Sequence, residues 1–244
     1  MDALAGLLEG SRARGAFMIR ACFDPPWSVR VEDRAPLTVM LLVRGDAWIM
    51  PDAGERVRLR AGDLAIARGP APYTCADDPA TPWQAVILPG AECVYPDGRP
   101  LGGTMDLGVR TWSDRPDGAT VMLIGTYLVR GEISCRLLGA LPALLTLTPE
   151  VWDCPLTPLL MEEIVRDEPG QEVVLDRLLD LLVIAALRTW YHAADAGSGT
   201  PTCGVVVGCR LPHARLRSRG GTPIASPPSS ALQVDAPDPA HRGR

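Results

Sequence analysis

The chain has 244 residues, with 24 basic residues (all of them arginine) against 29 acidic ones and a formal net charge of −5. That balance offers no global cationic face for nucleic acid and is ordinary for a soluble cytoplasmic protein. Seven cysteines, an odd number with no C-x-x-C pair, fit reduced core thiols rather than a disulfide framework, and the longest apolar run, Leu181 to Leu187, falls far short of the about 20 residues a membrane span needs, so no membrane partner is expected.

From the N-terminus, Asp2 can cap a short helix through Leu8. From about Phe17 to Val129 the chain then reads as short strands. Phe17 and Ile19 come first, followed by Trp27, Val29 and Val31, then by Leu37 to Val43. Trp48 and Met50 alternate with Ile49, Asp52-Ala-Gly54 turns the chain, and Val57 and Leu59 alternate with Arg58 and Arg60 before Ala61-Gly62-Asp63 turns it again. Trp83 to Leu88, Cys93 to Tyr95 and Thr120 to Val129 complete the series. Period-two alternation between turn residues is the mark of antiparallel strands, and many in series with no helix between them predict a sandwich or barrel closed on its own edges. A small barrel encloses a pocket.

The period switches to helical after Val129. Ile133, Leu137, Leu138 and Leu141 share a face until Pro142. Pro155 or Pro158 opens a second helix striped by Leu159, Leu160, Ile164 and Val165, which Glu168-Pro169-Gly170 breaks. The third helix, Gln171 to about His192, carries one polar stripe, Glu172, Asp176 and Asp180, and is apolar over most of the rest of its circumference. Such a helix needs cover on more than one side. The barrel can cover one face; for another, either a second subunit or the two preceding helices will serve. We expect a homodimer, with Leu175, Leu178, Leu179, Leu182 and Leu187 at its interface. After Gly197 both periods stop, and residues 197–244 read as a disordered tail, since a segment that buries little apolar surface does not repay its ordering entropy.

Chemistry is sparse. The three histidines, His192, His213 and His241, all lie outside the barrel, and there is no nucleophile elbow or phosphate-binding loop. Cys75 and Cys93 alone make a weak zinc set, and Cys203, Cys209 and His213 lack a fourth ligand. No catalytic residue, metal or cofactor is therefore expected. The pocket reads as one that binds, with Trp48, Met50, Tyr73 and Trp83 as candidate walls and Arg44 or Arg68 as partners for an anionic ligand. Each aromatic can equally be core filler, and Trp27 and Trp112 read as packing residues.

The strand-and-turn series around Gly45 and Ala61-Gly62-Asp63 resembles a cupin barrel, with Tyr73 and Cys75 standing where a metal-binding cupin usually places histidine. More widely, the order PPWSVRV, APLTVMLLVRGDAWI, VRLRAGDLAIARGPAPYT, MDLGVRTW, ALPALLTL and DEPGQEVVLDRLLDLLVIAALRTWY, from about Asp2 to Tyr191, resembles the N-terminal half of AraC/XylS-type transcription regulators. The resemblance implies a mainly β fold with α: a cupin-like barrel sensing a small effector (residues 1–129), a helical dimerisation segment (130–196), and the tail. Such regulators continue into two helix-turn-helix units. The tail's composition does not resemble them, so a frameshift or truncation near Ala196 to Thr200 is expected, with DNA reached only through the missing domain or a mixed dimer. The alternative is a stand-alone cupin enzyme, a metal-dependent oxygenase or isomerase.

Overall fold

Gly45, Gly54 and Gly62 take positive φ values of 79°, 128° and 95°, which L side chains rarely adopt, and the chain reverses at each of them. Between such turns lie the strands of the computed structural model, which describes residues 17–102, 110–113, 117–128, 134–152 and 154–195. In chain order these strands are β1 (Phe17–Phe23), β2 (Ser28–Val31), β3 (Leu37–Arg44), β4 (Asp46–Pro51), β5 (Val57–Arg60), β6 (Leu64–Arg68), β7 (Tyr73–Ala76), β8 (Ala85–Ile87), β9 (Cys93–Val94), β10 (Thr111–Ser113), β11 (Thr120–Tyr127) and β12 (Leu144–Leu147). They make two six-stranded sheets, ordered β10-β1-β11-β3-β6-β12 and β5-β4-β7-β2-β8-β9.

Two expectations need correction. The sheets are mixed rather than purely antiparallel, because β1 pairs β10 and β2 pairs β8 in parallel. Antiparallel order is enforced only where a tight hairpin joins neighbours, and long excursions of chain separate both of these pairs. The segment 130–196 is also not all helical. Strand β12 lies within it and extends the first sheet beyond β6, with Leu144 opposite Ala67 and Leu147 opposite Leu64.

The first sheet is buried on both faces, which is why β3 reads LTVMLLVR with scarcely a polar position. Met40 and Leu42 point toward the second sheet, whereas Leu37, Val39 and Leu41 join a separate apolar layer beneath three helices. These are α1 (Cys135–Ala140), α2 (Leu156–Glu163) and α3 (Gln171–Asp195). The Ser134 side chain accepts from the Leu137 amide at the start of α1, which ends as Leu141 turns extended ahead of Pro142. Helix α2 starts directly after Pro155. Its expected stripe is only half right: Leu160 and Ile164 are buried, but Leu159 and Val165 face out.

Helix α3 starts after Gly170, as its pattern predicts, and runs a few residues past His192. Leu175, Leu178, Leu179, Leu182 and Leu187, expected at a dimer interface, are instead buried within the single chain, packed on the outer face of the first sheet. The sheet wins because it offers a continuous apolar surface at no translational cost, and because Gly125 of β11 leaves room: a Cβ there would lie 2.5 Å from Leu179 Cδ1. The outward apolar positions of α3 are Val173, Val174 and Leu181, which are 60%, 44% and 50% exposed. Of the acidic stripe, Glu172 is exposed and the other two are tied inward. Asp176 is buried, and Asp180 accepts from the Tyr127 hydroxyl and from Arg177, both at 3.0 Å.

No helix among the described residues is long and apolar enough to cross a membrane. The predicted N-terminal helix and the tail from residue 197 lie outside the described residues.

Candidate ligand cavity

Every second residue of β11 (Met122, Ile124 and Thr126) faces the second sheet, and with Leu128 beyond the strand's end they line a cavity between the two sheets. From the opposite side come Val29 and Val31 of β2 and Tyr73 and Cys75 of β7; Thr38 and Met40 of β3 and Ile19 and Phe23 of β1 complete the walls. The open space between these walls, with the mouth and adjoining solvent counted in, is about 650 Å³.

Strand register gives the cavity two unlike ends. Thr38 lies opposite Thr126, and Tyr73 lies opposite Val31, two residues from Asp33. At the other end of β2, Trp27 stacks on Phe23 with ring centroids 4.7 Å apart, and Trp112 meets Phe23 edge-on at 5.4 Å. One end is therefore polar and the other aromatic.

At the polar end Asp33 Oδ1 accepts from the Ala35 amide at 3.0 Å. Burial pushes the Asp33 carboxyl above the usual aspartate range, and the Ala35 bond offsets only part of that shift. Burial likewise raises Tyr73 well above an ordinary phenol, helped by the negative charge of Asp33, while a bond with Thr38 opposes the shift. The Cys75 thiol is pushed up to about 12 by burial and then by Asp33. Tyr73 and Cys75 are thus neutral at pH 7, leaving Asp33 as the one charge-bearing residue of the lining.

A raised carboxyl pKa means that the folded state holds its proton more tightly than the unfolded chain does, so stability is highest below the unfolded value and is lost as pH rises through the folded one. Asp33→Asn keeps the acceptor for Ala35 and removes this loss. The variant is expected to melt no lower than the parent at pH 7 and to gain on it between pH 4 and pH 7. A parent whose advantage over the variant grows with pH would contradict the assignment.

Of the residues singled out from sequence as ligand contacts, the structure brings only Tyr73 to the cavity. Trp48 and Met50 lie on the outer face of β4, Trp48 beneath the Arg56 guanidinium at 5.9 Å, while Ala47 and Ile49 point in. Both alternating sets are apolar, so periodicity left the faces undecided; pairing of Ile49 with Cys75 decides them. Trp83 is 47% exposed in a loop, with the Arg30 guanidinium 5.3 Å from its ring. Arg44 donates to the Gly118 carbonyl and Arg68 to the Leu138 carbonyl at 3.0 Å, so each is tied to backbone and neither reaches the cavity as an anion partner.

Sequence reasoning missed Phe23, Asp33, Thr38, Met40 and the Met122-Ile124-Thr126 row, and it read Trp27 and Trp112 as packing only. One signal was present: Gly125 in an otherwise bulky strand marks the face a helix approaches, which puts its neighbours Ile124 and Thr126 on the other side.

Many barrels of this kind hold a metal, and these walls do not suit one. The lining offers one carboxylate and one thiol that burial keeps protonated, without imidazole. Among the described residues no group of three or more His, Cys, Asp or Glu is placed to hold a metal ion.

Comparison with known proteins bears on the fold. Among solved structures, the apo form of a ToxT variant from Vibrio cholerae strain SCE256 superposes with a TM-score of 0.40 at 8% identity, over 76% of this chain and 59% of that one. The match therefore spans less than two thirds of that protein. A conserved protein with a double-stranded β-helix domain from Klebsiella pneumoniae subsp. pneumoniae MGH 78578 superposes with a TM-score of 0.24 at 11% identity, over 52% of this chain and 86% of that one. No curated protein matches the sequence. The family model described as Cupin matches residues 2–192. With its two facing sheets, its enclosed cavity and that match over most of its length, this chain belongs to the cupin family.

Proposed function

We propose that the chain is a non-catalytic, small-molecule-sensing module of a transcription regulator of the AraC type, and that it reports occupancy of the cavity through α3. One observation carries the reading. In β11, Met122, Ile124 and Thr126 touch the cavity, while the intervening Leu123 and Tyr127 pack in the layer that holds α3, and Gly125 receives Leu179. A ligand that shifts this strand shifts the seat of the helix, because a close-packed interior transmits displacement rather than absorbing it. The sequence resemblance to the sensing half of such regulators supports the same reading. Self-association then uses the outer strip of Val173, Val174 and Leu181, since the inner leucines are taken.

The test uses Trp27 and Trp112, which line the cavity, as emission reporters. A panel of small apolar compounds is expected to include one that saturates the tryptophan signal and slows amide exchange in α3 at least several-fold. Saturation with α3 exchange unchanged would overturn the reporting role. A stoichiometric transition metal in the purified protein, or turnover of a bound compound, would overturn the non-catalytic one.

A further inference from the structure

Two polar groups among the lining residues mark its opposite ends, a half-buried carboxylate and a buried indole N–H. Asp33, half-buried at the polar end, accepts at Oδ1 from the Ala35 amide. The influences on its carboxyl are burial and that one amide, with no guanidinium among them. Trp27, only 3% exposed, buries an indole Nε1–H that donates to nothing among the described residues. A carboxylate that solvent reaches and that no cation neutralises is open to a charged ligand. The six residues from Trp27 to Asp33 separate the two by at most about 20 Å of strand, before the side chains reach inward.

The charge between these ends is of one sign. Arg44 and Arg68 are fastened to backbone carbonyls elsewhere. An anion would therefore meet a carboxylate in a half-buried site with no cation to offset it, whereas a cation would find its counter-charge. The rings of Phe23, Trp27 and Trp112 fit a flat apolar tail.

Resting on the sensor reading above, we propose that the effector is an elongated arylalkyl amine, with its protonated amino group at Asp33 beside Thr38 and Tyr73 and its ring against Phe23, Trp27 and Trp112. This replaces the anionic ligand expected from sequence.

Phenylbutylamine, phenylbutanol and phenylbutyrate share a tail and differ in head charge, and titration of the whole chain with each tests the assignment. The amine is expected to bind about tenfold more tightly than the alcohol, and the acid to bind weakest, as an ion pair in a poorly solvated site predicts. Asp33→Asn should cut amine affinity about tenfold and leave the alcohol within about twofold. Met122→Trp, which fills the cavity from β11, should weaken the amine and the alcohol together. The acid matching the amine, an unchanged amine-to-alcohol ratio in Asp33→Asn, or no binding by any of the three would overturn the amine assignment. The sensor reading survives each of these results if another compound of the panel saturates the tryptophans and protects α3. Full amine binding in Met122→Trp would place the site outside the cavity and overturn the assignment as well.

Discussion

Leu179→Ala is expected to lower the unfolding free energy by about 2–5 kcal/mol, the usual range for removing a fully buried leucine, and by the same amount at every protein concentration. Leu179 is completely buried, with its Cδ atoms over Gly125 of β11, and its neighbours in the layer, Leu175, Leu178 and Leu182, come from its own helix. The hole left by truncation cannot be closed by sliding α3, which is held along its length by the same layer. If these leucines met a second copy instead, the melting temperature of the variant would rise with concentration as mass action drove association. Denaturant titrations of parent and variant at two concentrations a hundredfold apart separate the cases, and a difference between the two proteins that changes with concentration would refute the intrachain packing.

Gly69→Ala should be at least as damaging, at about 3 kcal/mol or more, because the obstacle is backbone rather than a side chain that can rotate away. A Cβ at this position would lie 1.8 Å from the Ala35 carbonyl oxygen, and the Gly69 amide donates to the neighbouring Pro36 carbonyl at 3.1 Å. Relief requires moving the segment through Ala35 away from β6. That segment holds Asp33 in place through the Ala35 amide, so whatever fraction still folds should bind cavity ligands more weakly than the parent. Thermal melts and tryptophan titration measure the two effects. A variant that melts within a few degrees of the parent would show that the approach of the two segments is looser than 1.8 Å implies.

The parts legible in the sequence are those with local causes. Positive-φ glycines at 45, 54 and 62 placed the turns around β4 and β5, and Glu168-Pro169-Gly170 placed the start of α3. The cavity was legible as an expectation of the barrel, but its walls were not. In β4 the pairs Ala47/Ile49 and Trp48/Met50 are both apolar, and nothing local separates them: Trp48 and Met50 cover the outside of the sheet, while Ala47 and Ile49 face the cavity side. The arginines misled for a related reason, since a charge in sequence carries no sign of whether its partner will be a ligand or, as for Arg44 and Arg68, a carbonyl more than sixty residues away. Strand β12 was hidden because LLTL sits between two helical patterns and has too few residues to show a period of its own.

The amino-acid sequence determined where the chain turns, which segments are extended or helical, and that no imidazole enters the β region, because each of these depends on residues that are neighbours along the backbone. Tertiary structure alone decided which side of each strand looks inward, that Asp33 rather than an arginine meets the ligand space, and that the leucines of α3 rest on their own sheet. Those outcomes depend on pairing between distant strands, such as Ile49 with Cys75 and Thr38 with Thr126, and a shift of one residue in either register would send the opposite set of side chains inside.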